Sequence, residues 1–597
     1  MSDIQQQTAL PASQPTEHAM LVVWGQFAQE IGLLEHLAQV PIPQKTVTHS
    51  PAAKLTTFFM GLLSGIEFLR DLTHAPTPIY HDPALPAAWG LAALPEASGV
   101  SRTLSAATPQ SLICLQQQLD LLGDQFLAPA LAELRSQDQP LLLDADLTGR
   151  PVSDGSTSYP AAAFGYMDGQ IRLGYQLAAV CLHTKRYGRQ WLVGQQHPGD
   201  TVSAPTLLGL ITETERRLGT HPRRRPELLA GRIAQAEAAA TRYEMRASSQ
   251  QAKADACLLR EQHLLEQIAA AERQIYQLQR RRPVAATADS AAKQLRQQIT
   301  ARQARLGRIR RQWAVALGRA ERAAAAALAD RSLIPALAAY QAELAAENAA
   351  CANLPRCIMR LDAGFSSGEN LAMLLEMGYE LETKASNAGL VRALRGQVSS
   401  ATAWTRVGKN AEMVGWTNYR LKSCPYPLTV GLERFHTPAG HKYAVLLRYQ
   451  AEAAAPCPDL AAWFHSYNGR GSIEAGIKQA KTVFHVQHLL SRGAIGMQMQ
   501  VALTLFAANF VGWAGEWVEQ RLLQPQARVR ELLASVKRLV RQAANSPALV
   551  EAGGGQVLLR FSATSGFAGL IICLAGASSV QLELPLYSSS AAPWAGG

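Results

Sequence analysis

The N-terminal part of the chain contains long segments in which apolar residues recur every three or four positions. VVWGQFAQEIGLLEHL, KLTTFFMGLLSGIEFLRDL and PQSLICLQQQLDLLGDQFLAPALAEL all show this spacing. It places the apolar side chains on one face of an α-helix. We therefore predict a helical domain over 20–138, preceded by a disordered lead over 1–19. The segment WGLAALPEASGVSRTLSAA could form a helix-turn-helix, which would make this a DNA-binding domain, although short helix pairs mostly serve packing.

Beyond residue 138 the pattern changes to short apolar runs that are typical of strands. QPLLLDADLTGRPV, IRLGYQLAAVCLHT and RQWLVGQQHPGD predict three strands, and APTLLGLITETERRLG predicts a covering helix. CIMRLDAGFSSGENLAMLLEMGYELETKASN predicts a strand, a glycine turn, a helix and a second strand. The sequence therefore predicts an α/β fold with a mixed sheet, built from residues 139–220, 351–399 and 456–520.

Two insertions and a C-terminal region complete the predicted organisation. Residues 221–350 are rich in Ala, Gln, Arg and Glu, and RRRPVAATADS separates two apolar seams. This pattern predicts a long antiparallel coiled-coil arm. We interpret most of its arginines as a solvated face, with DNA contact as the alternative. Residues 400–455 predict a small β insertion, and residues 521–597 form a C-terminal region with closing strands.

Charge and composition favour an anionic partner without identifying it. Lys and Arg number 57 against 46 acidic residues, which gives a net charge of +11 and a pI near 9.3. Eight widely spaced cysteines without a C-x2-C pair predict a reducing compartment and no structural zinc. The uncharged run 493–515 is long enough to span a membrane, but it contains glutamine and asparagine and lacks flanking anchors. We predict a buried core helix there.

The segment YNGRGSIEAGIKQAK carries four strong polar groups with the spacing Y-x2-R-x3-E-x6-K. Tyr467, Arg470, Glu474 and Lys481 fall within about 60° of one another around an α-helix. A carboxylate, two cations and a phenol on one face suit a metal ion beside phosphates. The alternative is a solvated face with incidental Glu–Lys pairs. Because two glycines weaken the helix start, Tyr467 can precede the first regular turn.

Three separate segments supply carboxylates that could converge on metal ions. Cleavage of a phosphodiester by two divalent ions needs such carboxylates, and Mg²⁺ prefers oxygen ligands. In LLLDADLTG, strand alternation puts Asp144, Asp146 and Thr148 on one face. Asp362 follows a strand at a glycine turn, and Glu474 comes from the helix. An aspartate at a strand end often only caps a loop, but the three sources together predict a metal site.

These segments resemble bacterial insertion-sequence transposases of the DDE type that carry the YREK signature. The signature spacing is matched without a gap, and DADLTG resembles the first-aspartate strand, which favours Asp146 over Asp144. RLDAGFSSGENLAMLLEMGYELETK resembles the second-aspartate block, with Asp362 and a basic residue, Lys384. QQHPGDTVSAPTLLGLI and AANFVGWAGEWV are similar to two further conserved segments of that family. The chain departs from the family in its arm and in His197, where arginine is usual.

The resemblance implies a ribonuclease H-like core that cleaves transposon ends and transfers the strand into target DNA. It implies two Mg²⁺ ions, for which Mn²⁺ can substitute, double-stranded DNA with terminal inverted repeats, a homo-oligomeric synaptic complex, and a bacterial cytoplasmic, nucleoid-associated location. The residues implied as catalytic metal ligands are Asp146, Asp362 and Glu474, and those implied to bind DNA are Tyr467, Arg470, Lys481 and Lys384. The alternatives are a domesticated transposase-derived nuclease and a non-catalytic DNA-binding scaffold.

Overall fold

A computed structural model describes residues 13–45, 48–280, 286–450, 459–488, 490–522, 535–553 and 556–576. In chain order, helices α1 to α15 span Ala19–Glu30, Leu33–Ala38, Pro51–Ser64, Asp71–His74, Leu85–Ala88, Ala97–Ala106, Pro109–Ser136, Ser203–Leu218, Pro226–Arg280, Ala286–Ala350, Gly368–Glu376, Ala388–Arg395, Leu460–Asn468, Gly471–Thr482 and Ala494–Glu519. Strands β1 to β14 span Ser13–Thr16, Leu141–Pro151, Ala163–Met167, Gln170–Thr184, Gly188–Pro198, Cys357–Leu361, Glu380–Lys384, Thr405–Arg406, Ala411–Arg420, Pro427–Thr437, Gly440–Tyr449, Ala548–Gly553, Gln556–Phe561 and Ile571–Gly576. The chain divides into two compact units, Arg224–Ala352 and the remainder.

A ten-stranded mixed sheet forms the centre of the larger unit. Strand β2 lies between β4, to which it is antiparallel, and β6, to which it is parallel, and β7 continues the parallel part. Strand β4 also pairs with β3 and β5. Helices cover the sheet, because its strands are buried and need apolar partners on their faces. The predicted α/β fold with a mixed sheet is confirmed.

The strands between residues 405 and 449 extend this same sheet. Strands β8 to β11 are antiparallel neighbours, and β11 pairs with β7, with Leu446 opposite Lys384. The small β insertion predicted over 400–455 is therefore a continuation of the core sheet. The physical reason is that the edge of β7 offers unpaired backbone N–H and C=O groups, which β11 satisfies.

The prediction of a disordered lead over 1–19 is wrong for the described part of that range. Strand β1 pairs with β12, with Ser13 opposite Glu551, and α1 begins at Ala19. The Thr16 hydroxyl donates a hydrogen bond to Asp82. This order depends on a partner more than 500 positions away, which a local sequence pattern cannot reveal. Residues 1–12 lie outside the described part of the chain.

The uncharged run forms the buried helix α15, which packs against the N-terminal helices. Phe126 stacks on Trp513 with ring centroids 4.3 Å apart, and Phe27 lies 5.0 Å from Phe510. By length and composition α15 could cross a membrane, yet 67% of its most apolar window is buried within the protein. Asn509 accepts a hydrogen bond from the backbone N–H of Trp191 and donates one to its carbonyl. The prediction of a core helix is confirmed.

The smaller unit consists of the two long helices α9 and α10, which pack side by side and run in opposite directions. One apolar cluster between them contains Cys257, Leu264, Leu306 and Ile309. A second contains Leu229, Leu337 and Leu344. The arm pattern of the sequence thus corresponds to a helix pair with a narrow apolar seam and long polar faces.

Candidate active site

The register of two central strands places two aspartates side by side. In the parallel pair β2–β6, Asp144 lies opposite Arg360 and Ala145 opposite Leu361. Asp146 and Asp362 follow at the next positions, on strands about 4.8 Å apart. Asp362 directly follows β6, and its carboxylate accepts a 2.6 Å hydrogen bond from the backbone N–H of Ala363. Strand pairing therefore brings together carboxylates that are 216 positions apart in sequence.

Arg470 links the first of these aspartates to Glu474. One guanidinium nitrogen lies 3.1 Å from Oδ1 of Asp146, and the other donates a 2.9 Å hydrogen bond to Oε1 of Glu474. The Arg470 side chain is buried, whereas the Glu474 side chain is 65% exposed. Glu474 lies in the first turn of α14, and Arg470 immediately precedes that helix. The arginine thus orients carboxylates from a strand and a helix toward each other.

The electrostatics of Asp146 reflect a concentration of acidic groups. The pKa of Asp146 is raised to about 6, mainly by burial and also by the neighbouring carboxylates of Asp362 and Glu474, while Arg470 and the N–H of Leu147 act in the opposite direction. Burial also lowers the pKa of Arg470, but the surrounding acidic groups outweigh this effect, so that its pKa is raised. The cluster therefore holds more negative charge than one guanidinium neutralises.

The four groups of the signature are distributed over two helices and the turn between them. Tyr467 lies in α13, Arg470 lies in the turn, and Glu474 and Lys481 lie in α14. The expectation that one helix carries all four is therefore wrong, whereas the expectation that Tyr467 can precede the first regular turn is confirmed. The turn keeps helical backbone angles, and its hydrogen bonds span three residues, from Arg470 N–H to Tyr467 C=O and from Ile473 N–H to Arg470 C=O. Across this turn Arg470 and Glu474 still form an ion pair, and Glu474 and Lys481 line the same pocket.

Tyr467 and Lys384 contact each other next to the end of β6. The Tyr467 hydroxyl donates a 3.3 Å hydrogen bond to the carbonyl of Leu361, and burial raises its pKa. The Lys384 ammonium lies 5.6 Å from the centroid of the Tyr467 ring. The phenol therefore contacts the last residue of β6, next to Asp362. The role of either side chain in DNA binding remains a prediction.

Lys481 borders an open pocket next to the carboxylates. The pocket has a volume of about 420 Å³ and is lined by Asp146, Thr148, Asp168, Glu474, Lys478 and Lys481 among others. Nζ of Lys481 lies 3.5 Å from Oδ1 of Asp168. Asp168 and Gly169 form the two-residue turn between β3 and β4, with φ angles of 49° and 87°. Positive φ at both positions is typical of an Asp-Gly hairpin turn.

Arg189 on β5 fixes α14 against the sheet. Its guanidinium donates hydrogen bonds of 2.5 Å to the carbonyl of Ser472 and 2.9 Å to the amide oxygen of Gln479. A Cβ atom at Gly476 would clash with this guanidinium. A side chain at Gly476 would displace the guanidinium of Arg189, so the glycine permits this contact between helix and strand. The contact holds the helix that carries Glu474 and Lys481, and the signature spacing does not reveal it.

Asp144 lies on the same face of β2 as Asp146 but is fully buried in an ion-pair network. Arg360 contacts both of its carboxylate oxygens, at 2.5 and 2.8 Å, and Nε2 of His183 lies 2.7 Å away. Burial acts to raise the pKa of Asp144, but the hydrogen bonds from His183 and Arg360 outweigh it, and the pKa is lowered. Of the two candidates for the first metal ligand, Asp146 lines the pocket next to Lys481 and Asp144 does not.

Glu433 is a buried carboxyl group near the site that sequence reasoning missed. It lies on β10, is fully buried, and neither carboxylate oxygen has a hydrogen-bond partner within the described part of the chain. Burial raises its pKa to about 7, and Lys384 is the cation that opposes this shift. Its charge also acts on Tyr467. No local pattern marks it, because strand β10 reads as an ordinary alternating strand.

The Glu433→Gln variant should lose part of the pH dependence of stability. With a pKa of about 7 in the folded protein and about 4.3 in the unfolded chain, Glu433 binds its proton more tightly when folded. Its stabilising contribution is therefore full below about pH 4 and is lost as the pH rises through 7. We expect the unfolding free energy of the wild type to fall by about 2–3 kcal/mol more than that of the variant between pH 5 and pH 8.

Chemical denaturation at both pH values measures this difference. Glu369→Gln, at an exposed position of α11, provides the matched control and should follow the wild type. Parallel curves for wild type and Glu433→Gln would contradict the buried, unpartnered state of Glu433.

Comparison with known proteins gives little similarity. The chain matches no family model and no curated protein sequence. Among solved structures, piggyBac transposase in a synaptic complex with hairpin DNA shares 9% sequence identity, with 89% of this chain and 83% of that chain covered and a TM-score of 0.35. Values this low do not establish a common fold.

Proposed function

We propose that this protein is a DDE-type DNA transposase that cleaves the ends of a mobile element and transfers the strand into target DNA. The observation that carries the proposal is the meeting of Asp146, Asp362 and Glu474, which come from two strands and a helix, around Arg470. The mixed sheet that holds them is consistent with a ribonuclease H-like core. Two Mg²⁺ ions, or Mn²⁺, and double-stranded DNA are the proposed cofactors and substrate, and a homo-oligomer the proposed synaptic form.

The donor set fits a divalent cation. Three carboxylates supply only oxygen ligands, which Mg²⁺ prefers, and a site of two or three carboxylates leaves room for water and phosphate. The pKa of Asp146, raised by burial and by two carboxylates, indicates negative charge that a cation would balance. When bound, paired divalent ions activate the attacking hydroxyl group and stabilise the leaving oxygen.

The remaining side chains would position DNA at this site. Lys481 borders the pocket with its ammonium and can form a charge-assisted hydrogen bond with a phosphate. Arg470 orients Asp146 and Glu474 and neutralises part of their charge. Tyr467 donates a hydrogen bond to the carbonyl of Leu361, the residue before Asp362, and Lys384 lies over the Tyr467 ring. The site thus combines ligands for metal ions with cations for the phosphate backbone.

Incubation of the purified protein with Mg²⁺ and the DNA that flanks its own gene tests the proposal. We expect strand cleavage at the element's ends and, with a target plasmid, joined products. Cleavage without joining would support a transposase-derived nuclease, and binding without cleavage would support a scaffold. Either result overturns the proposed transposition.

Lys481→Gln should reduce cleavage of end-containing DNA by about 10- to 100-fold. One charge-assisted hydrogen bond contributes about 1.5–3 kcal/mol, and each 1.36 kcal/mol changes a rate about tenfold. The exposed Lys422, which does not line the pocket, provides the matched control as Lys422→Gln. Equal cleavage by both variants would remove Lys481 from the proposed phosphate site.

A further inference from the structure

The net positive charge of the protein is concentrated in the smaller unit. Residues 224–352 contain 21 Lys and Arg against 12 Asp and Glu, a net charge of +9 out of +11 for the whole chain. The other 468 residues therefore carry a net charge of only +2. Such segregation of charge indicates an anionic partner for this unit, and the packing of its two helices identifies where that partner would bind.

A groove between the middle parts of α9 and α10 is lined by cations alone among its charged residues. Its volume is about 480 Å³, and its polar lining consists of Lys253, Arg260, Arg311, Arg319, Gln250 and Gln312. The four cationic side chains are exposed. No ion pair involves any of them within the described part of the chain. The two glutamines add amide donors between the cations.

Other arginines of the same unit are neutralised across the helix pair. Arg310 donates a 2.8 Å hydrogen bond to Glu261, and Arg331 donates hydrogen bonds of 2.5 and 3.0 Å to Glu244. A solvated coiled-coil face normally interleaves charges in this way. The groove departs from that pattern, because no acidic side chain lines it to offset the repulsion between its cations. An external anion would remove this repulsion.

We propose that this groove binds the phosphate backbone of double-stranded DNA. Lys253 and Arg260 are two helical turns apart on α9, and Arg311 and Arg319 are just over two turns apart on α10. At about 1.5 Å per residue the spacing within each row is about 10–12 Å, which spans about three base pairs of B-DNA. Three of the four cations are arginines, whose planar guanidinium groups bind phosphate through two parallel hydrogen bonds.

This binding deepens the proposed transposase function, on which it rests for the identity of the ligand. Contacts to phosphate carry no sequence information, so the groove would hold any duplex, whether target DNA or DNA outside the terminal repeats. It would add affinity that is independent of the carboxylate site. The four cations of the groove lie within the arm, and none of them is a proposed metal ligand.

The test measures the salt dependence of binding to a random-sequence duplex by fluorescence anisotropy. The full-length Asp146→Ala protein without Mg²⁺ serves as the parent, so that cleavage does not interfere. Each phosphate contact contributes about 0.9 to the slope of log K against log salt. Replacing Lys253, Arg260, Arg311 and Arg319 by glutamine should therefore reduce the magnitude of the slope by about 3 to 4.

A matched pair of double variants separates contact from net charge. Arg311→Gln/Arg319→Gln and Arg310→Gln/Arg331→Gln each remove two positive charges from exposed positions of α10. The first should reduce the magnitude of the slope by about 2. The second, whose arginines are already paired with glutamates, should leave the slope close to that of the parent. Circular dichroism of the helices checks that both variants are folded. Equal slopes for the two double variants would overturn the proposal.

The outcomes also distinguish this inference from the proposed function. If the groove variants show a weaker salt dependence of binding but the wild-type protein cleaves no DNA, the groove is supported and the transposase function is refuted. If the groove variants keep the salt dependence of the parent and the wild-type protein cleaves the DNA that flanks its gene, only the groove is refuted. Binding of poly-glutamate that exceeds binding of the duplex would indicate an acidic protein as the partner, which also refutes it.

Discussion

Asp146→Asn is expected to lower Mg²⁺-dependent cleavage of end-containing DNA by about 10³-fold or more while DNA binding stays measurable. Metal ions stabilise the charge of the transition state by several kcal/mol, and about 4 kcal/mol corresponds to about 10³ in rate. The amide has nearly the shape of the carboxylate but lacks its charge, so the strand and its contact with Arg470 should persist. Cleavage rates under single-turnover conditions provide the measurement.

Asp168→Asn is the matched control for this experiment. Asp168 lines the same pocket, but it lies at the tip of the β3–β4 turn and its side chain is largely exposed. We expect a change of less than about threefold, because its loss removes only a surface ion pair, worth about 1 kcal/mol or less. The proposed metal site fails if Asp146→Asn cleaves as fast as Asp168→Asn. Asp362→Asn and Glu474→Gln should behave like Asp146→Asn.

Asp144→Ala should destabilise the protein by about 3–5 kcal/mol, because it leaves the buried guanidinium of Arg360 without its anion. Arg360 is itself 3% exposed and donates a further hydrogen bond to the carbonyl of Ser466. An unpaired buried charge costs far more than the pair contributes. The shift of the denaturation midpoint in urea measures the effect.

The double variant Asp144→Leu/Arg360→Met separates stability from catalysis. Replacing both partners by apolar side chains removes the buried charge and should recover most of the lost stability. If Asp146, rather than Asp144, is the first ligand, this variant should keep metal-dependent cleavage within about tenfold of the wild type. A folded double variant without detectable cleavage would move the first ligand to Asp144.

The contrast between these two aspartates shows how far the sequence leads. Strand alternation in LLLDADLTG correctly places both side chains on one face of β2. It cannot distinguish them, because the difference comes from Arg360 and His183, which reach Asp144 from two other strands. The family resemblance favoured Asp146 on motif grounds. The buried ion pair of Asp144 supplies an independent physical reason for the same choice.

The signature segment gives a second example. Its spacing correctly groups Arg470 and Glu474, which form an ion pair, because side chains four positions apart are neighbours on a helix. The break between α13 and α14, the burial of Tyr467 against the strand that precedes Asp362, and the clamp formed by Arg189 depend on packing against the sheet. Glu433 lacks any local signal, since only its neighbours make it a buried carboxyl group.

The sequence alone determined most of the helices and strands of this protein, because the periodicity of a helix or strand is a property of neighbouring residues. The segregated charge of residues 224–352 is a property of composition, but the bounds of that unit come from the structure. The tertiary structure decided the strand pairing that joins Asp146 to Asp362, the extension of the sheet by β8 to β11, and the pairing of β1 with β12. These contacts link residues tens to hundreds of positions apart, and backbone hydrogen bonds between strands carry no local sequence signal.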